Sequence, residues 1–89
     1  MWPLSSSVRP MNDPSPDYLL DLGFLLREDW QAAEQRYKLA TGADREFEAG
    51  RRRAYRQVLT LMLHQAETFG LDPSEISLQG LDVDKDLGY

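Results

Sequence analysis

Apolar side chains recur through the first half of the chain as Leu19, Leu22, Leu26, Trp30, Ala33, Tyr37 and Ala40. Steps of three and four place them on one helical face. Tyr18, Leu20, Phe24 and Leu25 widen that arc, so the first half of this helix is expected to be covered on more than one side. Ser15 is the N-cap candidate, Pro16 suits the first helical position, and Asp17 and Asp21 complement the positive end of the dipole. Gly23 sits inside the helix at a cost of about 1 kcal/mol relative to alanine, which points to a kink or a close contact. Thr41-Gly42 ends the helix, because glycine accepts the left-handed conformation.

A second helix follows at once. Thr41 and Asp44 have capping-box spacing, and the pattern runs to about Phe69. Its predicted seam is Phe47, Ala54, Val58 and Leu61, with Tyr55, Met62, Ala66 and Phe69 on the adjoining strip and Leu59 and Leu63 elsewhere. Gly50 lies alone inside it and is read as a point of close backbone approach. Gly70 and Leu71 suit the glycine and hydrophobic positions of a Schellman ending. Asp72-Pro73-Ser74-Glu75 then offers an N-cap acid, an N1 proline and a capping-box glutamate. It predicts a short helix from Pro73 to about Gln79, ended by Gly80.

The pattern therefore predicts an all-α fold: a long antiparallel helical hairpin plus a short C-terminal helix. Three regions are expected, a flexible leader over 1–15, a helical domain over 16–81 and an acidic tail over 82–89. Two helices of about 24 residues span about 36 Å each, and a short turn forces them antiparallel. A lone pair cannot cover apolar arcs this wide. A homodimer forming a four-helix arrangement is expected, with Trp30, Tyr37, Tyr55 and Met62 as its candidate core.

Composition narrows the chemistry. The chain has 89 residues and no cysteine, so disulfides, thiolate catalysis and cysteine-ligated metal are excluded, and a cytoplasmic setting is the default. A domain this small gains from self-association. Met1–Pro10 has no charged start, apolar run or cleavage-site residues, so no secretory signal is expected, and Met11 is an alternative start. No apolar run suggests a membrane span.

The net charge of −5 is unevenly spread. Residues 36–66 carry seven basic and three acidic groups, net +4, between acidic flanks of −4 and −5. Arg45, Arg52 and Arg56 share a helical face and are the candidate partner-binding residues, with Glu48 placed to pair Arg52 at i,i+4. The acidic total argues against non-specific nucleic-acid binding.

Other constellations are weaker. Asp82, Asp84 and Asp86 open like a calcium loop, yet the sixth position is Leu87 rather than glycine, and no glutamate stands at the twelfth. A solvated acidic tail is the simpler reading. His64 has no second histidine or nucleophile near it in sequence, so it does not indicate a metal or catalytic site. No phosphate loop or G-x-S-x-G occurs. The expected function is a non-catalytic adaptor or regulator that binds an unidentified protein, without a cofactor. The alternative is a nucleic-acid-associated protein using the Arg45/Arg52/Arg56 face.

Overall fold

The computed structural model of the chain describes residues 13–88. Helix α1 spans Ser15–Leu39, α2 spans Gly42–Thr68, a 3-10 turn spans Pro73–Ile76, and α3 is the single turn Val83–Asp86. There is no strand among the described residues. The predicted all-α hairpin is observed. Most of the expected flexible leader, residues 1–12, lies outside the described residues.

Helix α1 starts slightly earlier than expected. Ser15 is already helical, Pro14 occupies the N-cap, and the Ser15 N–H donates to the Asp13 carboxylate at 3.0 Å. At the other end Ala40 is extended and its N–H reaches the Arg36 carbonyl at 2.9 Å. Thr41 is extended and Gly42 takes φ +60°, a left-handed value that glycine adopts without a Cβ clash. The turn is made by this backbone sequence. The expected Thr41–Asp44 capping box does not form, since no side chain caps α2.

All seven predicted seam residues, six in α1 and Ala40 just past its end, are buried or half-buried. The inner face of α2 differs from the expected one. Tyr55, Leu59, Met62, Leu63 and Ala66 face inward, whereas Phe47, Ala54, Val58 and Leu61 are exposed. The helix carries two apolar strips about a quarter-turn apart, and polar neighbours decide between them. Turning the Phe47 strip inward would swing Arg56 to the solvent side and leave Glu34 of α1 without its partner.

The ending of α2 is the expected Schellman motif. Leu71 N–H donates to the Ala66 carbonyl at 2.8 Å and Gly70 N–H to that of Glu67 at 3.1 Å, with Gly70 at φ +71°. The Asp72 capping box also forms. Ser74 N–H donates to Asp72 at 3.0 Å, and Asp72 N–H donates to Glu75 at 2.7 Å. The turn it starts is shorter than expected and closes at Ser77, which takes a left-handed φ of 59°.

Leu59, Leu63 and Ala66 meet Ile76, Leu78 and Leu87 in one cluster. Leu59 and Leu78 are completely enclosed. The stretch expected to be a solvated acidic tail is part of this core. Leu87 is buried and Val83 packs against the cluster. The first aspartate caps α3, with Asp82 accepting from the Asp84 N–H at 2.9 Å and the Lys85 N–H at 3.0 Å. Its own N–H donates to Asp86 at 2.8 Å. The alternating acids thus shape a turn that delivers one leucine to the core.

Candidate interaction surface

Glu34 gathers the polar chemistry between the long helices. Arg56 grips it with two nitrogens, Nε to Oε2 at 2.6 Å and Nη2 to Oε1 at 3.1 Å. Trp30 Nε1 donates to Oε2 at 2.8 Å, and Arg52 Nη1 stands 3.6 Å from Oε1. Burial raises the Glu34 pKa. Hydrogen bonds from Arg56 and Trp30, with the charges of Arg56 and Arg52, outweigh it and hold the carboxyl below its ordinary range. The third Arg56 nitrogen, Nη1, donates to the Gly88 carbonyl and ties the end of the described chain to the middle of α2.

Tyr37 takes up the remaining arginines. The Arg52 guanidinium lies 3.8 Å from the ring centroid and that of Arg45 lies 4.3 Å away. Arg45 also donates to the Tyr37 hydroxyl at 3.1 Å. Glu48 pairs with Arg51 at 3.6 Å, rather than with Arg52 as expected. One Glu48 oxygen is buried without a hydrogen bond, because the contact is ionic only. Arg51 lies over the Phe47 ring at 5.0 Å.

The three candidate partner-binding arginines are therefore brought together, and their guanidiniums are engaged within the chain. Trp30 and Tyr37, expected at a dimer core, are likewise engaged with Glu34 and the arginines. Tyr55 is half-buried, and Met62 packs against the core cluster within the chain. Sequence reasoning missed Glu34, which lies 22 residues from Arg56. Its only local signal is the i,i+4 spacing from Trp30.

The hairpin has two unlike sides. In an antiparallel pair, turning by the same angle on both helices leads to the same side. One residue after the seam positions, the C-terminal segment covers the hairpin. Ser77 Oγ donates to the Leu20 carbonyl at 2.8 Å, and Arg27 donates to the carbonyls of Ser77 and Gln79 at 3.2 and 2.8 Å. On α2 the same side carries Arg56 and its bond to Gly88.

One residue before the seam positions, a turn of about 100° the other way, the hairpin is bare. Tyr18 and Leu25 of α1 and Phe47, Val58 and Leu61 of α2 lie there, all exposed, with Tyr18 at 64% and Leu61 at 60%. At the open end, this flank runs into an almost wholly apolar hollow of about 340 Å³ bordered by Leu19, Met62, Ala66, Phe69 and Ile76. Large apolar side chains exposed on one side of a helix pair, here interspersed with Asp21, Asp29, Arg36 and Gln65, are candidates for a contact surface.

The other hollows offer less. His64 is exposed and borders one with Glu67 and Asp72, with no hydrogen-bonding constellation around its imidazole. No group of three metal-ligating side chains is poised to hold an ion among the described residues. No described helix is long and apolar enough to cross a membrane. No protein-family model matches the chain, and comparison with curated proteins and with solved structures also finds no match.

Proposed function

We propose that this chain is a non-catalytic protein-interaction module working in the cytoplasm, with the bare flank of the hairpin as its contact surface. The observation that carries this reading is the row Tyr18, Leu25, Val58 and Leu61, left uncovered while the chain's own C-terminal segment lies along the opposite side. Apolar anchors on rigid helices are the kind of surface that receives a partner helix. Such a surface needs no cofactor. The polar side chains of the arginine cluster serve the fold: Glu34, Arg52 and Arg56 neutralise one another beside Trp30. That engagement also weighs against the nucleic-acid reading, which needs Arg45, Arg52 and Arg56 turned to phosphates.

Site-specific photo-crosslinking tests the proposal. A photoreactive residue at Leu61 should capture protein in cells, whereas one at Ser74, on the covered side, should not. Capture from Ser74 alone, or tight and salt-steep nucleic-acid binding, would overturn it.

A further inference from the structure

Three features bear on what covers the bare flank. The first is its extent. Phe47 lies near the turn between α1 and α2, Val58 and Leu61 lie along the middle and beyond, and Tyr18 lies at the open end, so the row follows the hairpin's length. Apolar side chains spread along the full length of a hairpin match another long helical pair better than a short peptide. The second is charge. The open end carries Asp17 and Asp21 of α1 and Glu67 of α2 with no lysine or arginine, and the turn end, residues 36–53, carries six basic against three acidic groups. A hairpin with an acidic end and a basic end complements a copy of itself laid head to tail, and opposes one laid in parallel. The third is the covered side. With the C-terminal segment lying along one side, only Leu20 and Phe24 of α1 stay exposed beside it, and the long exposed row lies on the other side alone, so a two-fold contact there closes at two copies and does not propagate.

We infer that the occupant of the flank is a second copy of this chain, packed antiparallel across a two-fold axis near Val58 to give a four-helix dimer. This rests on the flank being the contact surface, and it names the partner. The acidic open end of each copy meets the basic turn end of the other, while Val58 and Leu61 pack at the centre. The small core explains the need. Among the described residues only seven apolar side chains are buried within one chain, and three of those are not on the long helices. Pairing would bury the exposed row and supply the apolar burial that a chain this small lacks.

The chain contains no cysteine, so introduced thiols report cleanly. Sedimentation equilibrium of the full chain should give a dimer. Replacing Val58→Glu together with Leu61→Glu should weaken it by about 100-fold or more, with unchanged helical circular dichroism, since both sites are exposed. With a short bis-maleimide linker, the Val58→Cys variant should couple to itself. The Tyr18→Cys variant should couple to the Asp29→Cys variant in a mixture, since the axis sets α1 against the other copy's α1, and not to itself. Self-coupling at Tyr18 would mean parallel copies and overturn the inference, as would a wild-type monomer at about 100 µM. If the wild type is a monomer and photo-capture of another protein from a probe at Leu25 is lost on the double substitution, self-pairing fails and the contact surface stands. A wild-type dimer that survives the double substitution would remove both.

Discussion

The carbonyl of Ile76 lies directly against Gly23, so close that a Cβ built on this glycine would come within 1.7 Å of the oxygen. The 3-10 turn rests on α1 at this point, and only a residue without a side chain lets it. Gly23 therefore trades local helix stability for contact with a distant segment. Gly23→Ala should destabilise the fold by about 2–4 kcal/mol, because neither backbone can withdraw freely. Gly50 is the opposite case. It was expected to mark a close approach, but nothing lies within 4 Å of the position its Cβ would take. Gly50→Ala should stabilise by about 0.5–1 kcal/mol through helix propensity alone. Urea unfolding of the two variants, read against wild type, checks both signs.

Glu34 should make the fold acid-sensitive. Its folded carboxyl binds a proton more weakly than in the unfolded chain, since the lowering groups, Arg56 first, outweigh burial. Its contribution is therefore complete above the ordinary glutamate value of 4.5 and is lost as pH falls through the lowered folded value. Glu34→Gln should cost about 1–3 kcal/mol at neutral pH by leaving Arg56 short of a charge partner. Melting temperatures measured downward from neutral pH should fall more steeply in wild type than in this variant. Parallel curves would show that Glu34 is not the group concerned.

Leu87 should matter as much as a residue of either long helix. It is 2% exposed and packs in the cluster of Leu59 and Leu78. Leu87→Ala should cost about 2–4 kcal/mol. Truncation after Leu81 should cost more, since it also removes Val83 and the Gly88 carbonyl that Arg56 holds. A truncated chain with an unchanged melting curve would return these residues to the status of a solvated tail.

The acids of this segment act as caps. Asp82→Ala should lose about 1 kcal/mol, because the N–H groups of Asp84 and Lys85 lose their acceptor. Adding calcium or a chelator should leave the melting temperature of wild type where it is. A rise with calcium would show that the aspartates bind it.

Much of the fold was legible because it is written in local chemistry. The α1 seam follows from spacing, and Gly42, Gly70-Leu71 and the Asp72 box each announce a backbone event within four residues. The α2 face was not legible in the same way. Two apolar strips about a quarter-turn apart satisfy the same periodicity, and the choice between them was made by Glu34 on another helix. Leu87 was hidden for a related reason, since one leucine among aspartates has no period. Its address is given by Asp82 and Asp86, whose four-residue separation reads as well as a cap as it does as a cation loop. Arg52 and Arg56 were correctly placed on one face, but sequence alone said nothing of what that face meets.

The contact of residues 76–87 with Leu59 also sets an order of events in the life of the chain. Synthesis runs from the amino end, so α1 and α2 emerge while the residues that close their core are still missing. For that interval the hairpin has two uncovered apolar sides instead of one. Only when the segment carrying Ile76, Leu78 and Leu87 has followed does the Leu59 side close, while Tyr18, Val58 and Leu61 stay exposed.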